Sequence, residues 1–335
     1  MKLSKYVASF RCALGRGRAN RSNASQELES RALFLVSMFH SGPRWALGVA
    51  VKEEFMRAFG GPADLEIKPR NVEFGRGVNY ERWWCGGDPV VTAFFNALSL
   101  TFPQGESFFV NSVRRYLPEL SEPLRGQVEE FAQQEAYHSR EHMAFNRQVA
   151  AGGYETKEID ALIRKDIQVS KDAGPEVELA VTAALEHFTG IFAHAWLSDP
   201  RHFKDFPEDL RRLWQWHSIE EIEHKGVAFD TFLFATRDLS PFQRWLFRTM
   251  VMGKVTFEFW KERFRDIGLL LKQDGLDNAT SWRRLIGYLV ARPGLFRQVL
   301  GPYLAWYAPG FHPWRHDDRA LAAQAEASLS LVPAR

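Results

Sequence analysis

Two segments of this chain, Glu135-Ala-Tyr-His138-Ser-Arg-Glu-His142 and His217-Ser-Ile-Glu-Glu221-Ile-Glu-His224, set glutamate and histidine three, four or seven residues apart. On an α-helix those spacings share one face, so Glu135 points with His138, and His217 points with Glu221 and His224. A lone glutamate in an apolar helical run precedes each cluster: Glu106 before the first, Glu186 before the second. A bundle that puts one Glu on each of two helices and a Glu-x-x-His pair on each of two others builds a two-metal site from all four. The gaps fit that plan. From Glu106 to Glu135 is 29 residues and from Glu186 to Glu221 is 35, each enough for two antiparallel helices and a short loop, while 51 residues between Glu135 and Glu186 leave room for a crossover.

Charge explains why such a cluster needs metal. Four carboxylates in a helical interior repel one another and are costly to desolvate, whereas two divalent cations make the group neutral. The mixed carboxylate and imidazole donors favour iron, with manganese as the other choice, and the absence of clustered cysteines argues against structural zinc. A single Glu-x-x-His in a helical protein is usually a solvated surface pair; two in this ordered series point to a shared metal site, the alternative being a helical protein whose clusters are surface-exposed.

The stretches Gln134-Glu-Ala-Tyr-His138…His142…Asn146, Ala184-Leu-Glu186-His-Phe-Thr, Trp216-His217-Ser-Ile-Glu-Glu221-Ile-Glu-His224-Lys-Gly-Val-Ala-Phe-Asp230 and Pro309-Gly-Phe-His312-Pro-Trp resemble the bacterial family catalogued as "predicted metal-dependent hydrolase". The resemblance runs over roughly residues 65–318. The donor pattern is also similar to that of the di-iron p-aminobenzoate N-oxygenases, which use four Glu and three His. Carried over by motif position, that resemblance implies Glu106, Glu135, His138, Glu186, His217, Glu221 and His224 as ligands. Glu135 and Glu221 would bridge, Glu106 and Glu186 would supply the carboxylates of the single-Glu helices, His138 and His224 would bind one metal each, and His217 would be the donor that the six-ligand ferritin set lacks. A hydrolytic two-metal centre needs an open position for water and acts as a Lewis acid. The seven-donor set is more typical of oxygen activation, so the expected activity is a di-iron oxygenase or oxidase using dioxygen, with a dinuclear hydrolase and a non-catalytic metal-binding protein as alternatives.

Neighbouring residues have plainer expectations. His142, one turn past His138, is either a further ligand or a donor that orients a carboxylate. Glu220 and Glu223 point away from the ligand face and are expected in a salt bridge or in solvent. His187 and His194 are treated as ordinary polar positions, and Tyr137 and Trp216 as packing residues.

With 45% hydrophobic and 14% aromatic residues among 335, the chain can bury a large core. No strand-like alternation or nucleotide-binding glycine fingerprint occurs, so the expected fold is all-α: a ferritin-like four-helix bundle core with additional C-terminal helices. The expected partition is a basic N-terminal extension over 1–64, the di-metal bundle over 65–240, a C-terminal helical layer over 241–318 and a frayed tail over 319–335. Asp88-Pro89 marks a helix start. Pro103 and Gly105 are expected to interrupt that helix just before Glu106, aiming the carboxylate from a kink. The other ligand helices are expected near 123–150, 175–197 and 208–236, with a crossover helix within 154–172.

Cys12 and Cys85 form no disulfide framework, which suits a reducing cytoplasm. A net charge of +2 is too small to imply nucleic acid. Residues 242–271 and 285–307 mix Trp, Phe and Leu with Arg and Lys, without the uncharged run of about 18 residues that a membrane span needs. Residues 242–307, with Trp245, Phe257, Phe259, Trp260, Trp282 and Trp306, are expected to pack on the bundle and give a hydrophobic substrate an apolar path to the centre. Peripheral contact with the inner membrane face is a second role open to them. The substrate, the electron donor and a homodimeric state are not legible.

Overall fold

The computed structural model describes residues 61, 62 and 64–329, so the basic extension expected over 1–64 lies, but for residues 61, 62 and 64, outside the described residues. Among the described residues the regular structure is helical throughout, without a strand, as the expected all-α bundle requires. The first ligand helix, α1, spans Pro89–Arg114; Asp88 caps it by accepting from the amides of Val90 and Val91, and Pro89 takes the first turn, where its missing N–H costs nothing. α2 spans Leu124–Ala151, and the crossover helix α3 spans Lys157–Lys171. The second pair is α4, Pro175–Ser198, and α5, Glu208–His224. Contacts close a ring, with α1 on α2, α2 on α5, α5 on α4 and α4 on α1, so four helices surround one interior.

Three sequence expectations need correction. Pro103 does not break α1, which runs through it without interruption. A proline leaves the carbonyl four residues earlier without its helical donor; here that carbonyl is Ser99 O, and Asn146 Nδ2 on α2 donates to it at 3.0 Å. The fourth ligand helix stops at His224, and a separate helix α6 covers Val227–Ala235. At the break, Trp314 presses on Gly226 so closely that an added Cβ would lie 2.7 Å from the indole nitrogen. The supposed tail contains a further helix, Arg319–Ser328, which packs on α4 and α5; its Glu326 pairs with Arg70 at 2.8 Å.

Beyond α6, the long helix α7 spans Pro241–Gln273, opened by a capping box between Ser240 and Gln243. It lies on α1 and α4, and buried Arg263 fastens it by donating to Ala97 O of α1 at 3.1 Å and to Asp266 at 2.8 Å. α8, Ala279–Ile286, then a π turn and α9, Leu295–Ala305, follow, and α9 also packs on α4. The helix at Arg319–Ser328 is α10. No helix among the described residues is long and apolar enough to cross a membrane.

Candidate metal centre

All seven residues singled out in the sequence converge inside the ring, and none is more than 3% exposed. They sort into two groups of donors. Glu106, His138 and His217 form one, and Glu135, Glu221 and His224 the other. Glu186 joins the second, its Oε2 standing 3.4 Å from His224 Nε2. Glu221 faces both groups: Oε1 lies 2.8 Å from His217 Nε2, while Oε2 lies 3.5 Å from His224 Nε2. Glu135 does the same, with Oε1 at 3.2 Å from His224 Nε2 and Oε2 at 3.9 Å from His138 Nδ1.

Whether metal fits can be judged from hydrogen bonds that are missing. Eight buried atoms of the cluster have no hydrogen-bond partner: Glu106 Oε1, both oxygens of Glu135 and Glu186, Glu221 Oε2, His138 Nδ1 and His224 Nε2. The ion-pair distances above bring some of these near one another, but without hydrogen-bond geometry. An unpaired buried polar atom costs about 1–3 kcal/mol, so a cluster of them is not tolerated without compensation. Cations would satisfy all eight at once.

The other nitrogen of each imidazole is already engaged, which fixes the tautomers. Ser99 Oγ donates its one proton to Asn146 Oδ1 at 2.7 Å, so His142 Nδ1–H must donate to Ser99 Oγ at 2.8 Å. Burial holds His142 well below its usual range and keeps it neutral, leaving Nε2 to accept from His217 Nδ1–H at 2.8 Å. His217 Nε2 then turns a lone pair toward Glu221 Oε1, a contact that needs a cation or an extra proton between the two. His138 uses Nε2 to meet Glu220 Oε2 at 3.1 Å, which frees Nδ1. His224 uses Nδ1 to meet Gln134 Oε1 at 2.9 Å, and Gln134 donates in turn to Glu223. Carboxylate or amide support behind a ligating imidazole is the usual setting of a metal-bound histidine.

The ionisation states agree with a site built for cations. Burial pushes Glu106 and Glu135 well above the usual glutamate range, with neighbouring carboxylates adding to it, and raises Glu186 to about 7. Burial depresses His138, so its lone pair is available. His224 is the exception: burial opposes its charge, but the Glu221 and Glu186 carboxylates outweigh burial and push it up. Without metal, His224 is the cation nearest to hand.

The salt bridge expected for Glu220 and Glu223 forms, with Arg70, but the further roles of the surrounding residues were not legible. Glu220, expected in a salt bridge or solvent, is fully buried: it pairs with Arg70 and also accepts from the Trp216 indole and from His138. Burial pushes Glu220 up to about 8 against the pull of Arg70; with the Arg70 amide and guanidinium and the Trp216 indole all donating, we read it as a carboxylate. Glu223 pairs with Arg70 at 2.6 Å, and Ser139 donates to Glu106 Oε2 at 2.7 Å. His142 supports His217 and does not aim a carboxylate. His187 is buried on α4, donating to Pro302 O at 3.1 Å, and stays neutral. Trp216 packs edge-on against His138.

A cavity of about 810 Å³ reaches the cluster, for Glu106, His217 and Glu221 are in its wall. The rest of the wall is mainly apolar, including Phe109, Val181, Leu185, Phe192, Val255 and Phe259. Exposed Phe257 and Lys261 of α7 and Lys165 of α3 mark its opening. Of the C-terminal aromatics expected to line a path, Phe257 and Phe259 do so. Trp245, Trp260, Trp282 and Trp306 do not, and Trp306 packs against Phe229 and Phe311.

A family model described as "Predicted metal-dependent hydrolase" matches residues 68–317, and the chain belongs to that family. No curated protein and no solved structure matches it.

Proposed function

We propose that this member of the predicted metal-dependent hydrolase family is a dinuclear metalloenzyme that hydrolyses an apolar substrate bound in the cavity. Its observational basis is the eight unpartnered donor atoms at the end of an apolar cavity. Glu106, His138 and His217 would hold one ion; Glu186 and His224 would hold the other; Glu135 and Glu221 would bridge. When bound, the ions would supply Lewis-acid activation of water and of the substrate's carbonyl or phosphoryl group. The chain itself contributes orientation: the Asn146–Ser99–His142 series holds His217, Glu220 holds His138, and Gln134 holds His224. Of the donors, Glu106 and His217 of the first group and the shared Glu221 are in the cavity wall, so substrate would approach the ion of the first group.

A second reading, dioxygen activation at two irons for oxidation of the same class of substrate, is favoured by the donor set itself. Four carboxylates and three imidazoles, buried among aromatic rings, suit an oxidisable metal pair. One series of measurements separates the two. Protein purified without added metal should carry about two transition-metal ions per chain in the core, as two donor groups require, and Glu135→Ala or Glu221→Ala should lose at least one. Turnover of acyl esters of increasing chain length, supported by zinc or manganese without oxygen, is expected. Dioxygen uptake by the reduced iron form, with no ester turnover under any metal, would replace hydrolysis by oxidation. Full metal content in both variants would remove the centre altogether.

A further inference from the structure

The molecule holds a third set of metal-type donors, outside the core. His194 on α4 meets His316 and Asp318, which lie in the segment leading into α10, and one donor atom from each stands within 4.8 Å of the others. His194 Nδ1 is 3.4 Å from Asp318 Oδ2 and 3.4 Å from His316 Nε2. Both contacts are longer than ordinary hydrogen bonds of about 2.7–3.2 Å. Two donors bound at about 2.0–2.1 Å to one tetrahedral ion stand roughly 3.3–3.4 Å apart, so both edges measured from His194 have the length of a filled site. The two imidazoles stand edge to face, with ring centres 4.7 Å apart at 77°.

The surroundings hold these donors in place. Lys225 donates to Asp318 Oδ1 and, at 2.7 Å, to His316 O, which fixes both the carboxylate and the backbone and leaves Oδ2 turned to His194. Ser198 Oγ lies 3.4 Å from His194 Nε2 on the side away from the cluster. Asp318 is buried while His316 is exposed, so an ion can enter from solvent. We propose that His194, His316 and Asp318 form a surface site for one divalent ion of the zinc type, with solvent as the fourth ligand. Two imidazoles and a carboxylate select such an ion over magnesium or calcium, which prefer all-oxygen sets. Bound there, the ion cross-links α4 to the segment before α10, directly over the Lys225-Gly226 break. The site does not depend on what the core centre does.

Cobalt(II) is the probe, titrated into the full chain, because a four-coordinate site gives it a strong visible absorption. The wild type should take up one cobalt ion with that band. His316→Ala and His194→Gln should each lose one ion and the band while melting, in the absence of metal, at about the wild-type temperature, whereas Glu135→Ala should keep the band. If His316→Ala and His194→Gln bind as many cobalt ions as the wild type with an unchanged spectrum, the site is overturned. A band lost in Glu135→Ala and kept in His316→Ala would assign it to the core and overturn the site equally.

Discussion

Each core imidazole spends one nitrogen on a neighbour and keeps the other for the cluster. The spacing of Glu135 with His138, and of His217 with Glu221 and His224, made the inward-facing residues legible, because a shared helical face depends only on local geometry. What stands behind them was not, since Glu220 and Gln134 reach their imidazoles across helices, and position along α5 suggested only a salt bridge or solvent for Glu220, not support of His138. Asn146, one turn after His142, was the one local hint of the Ser99–His142 support. Glu220→Gln keeps the shape but weakens the acceptor behind His138. Metal affinity of the core should fall by roughly 10- to 100-fold, the usual effect of removing such support, with the fold retained. Chelator competition measures this, and equal affinity in the variant would show that Glu220 serves only Arg70.

Helices inferred from pattern were right in kind, and their interruptions were misplaced for identifiable reasons. Pro103 looked like a kink because sequence cannot show that Asn146 on another helix would supply the missing donor to Ser99 O. The break at Lys225-Gly226 was not visible, and the side chain that excludes a Cβ at 226, Trp314, lies far along the chain. The α10 helix was read as a tail because its anchor is the distant Arg70. The compensation at Pro103 has a measurable signature. Asn146→Ala orphans Ser99 O and should destabilise the protein by about 1–3 kcal/mol. In a Pro103→Ala background, where the backbone N–H at 103 can bond Ser99 O instead, the same change should cost less. Denaturant unfolding of the four proteins gives the coupling; additive effects would mean that Asn146 acts only through Ser99 Oγ.

At the scale of the whole molecule, α3 and α7 close over the four-helix ring and leave the cavity whose inner end is the cluster. The all-α class was legible from helical periodicity; the cavity was not, since its wall draws on α1, α3, α4, α5 and α7 together. Metal removal should therefore be felt globally and with a definite pH trend. Glu186 rises from the ordinary glutamate value of 4.5 to about 7 in the folded chain, so the metal-free fold holds a proton that the unfolded chain gives up. That contribution is complete below about 4.5 and is lost as pH climbs through 7. Metal binding requires the deprotonated donors and strengthens over the same range. The gap in melting temperature between metal-loaded and chelated protein should widen from pH 5 to pH 8, and a constant gap would dissociate the cluster from stability. The donors also come from four helices, with Glu106 and His224 at the extremes of a long stretch of chain. Loops of that length close late in folding. The full donor set exists only once those helices have docked, so complete loading reports on assembly of the whole ring as much as on the site itself.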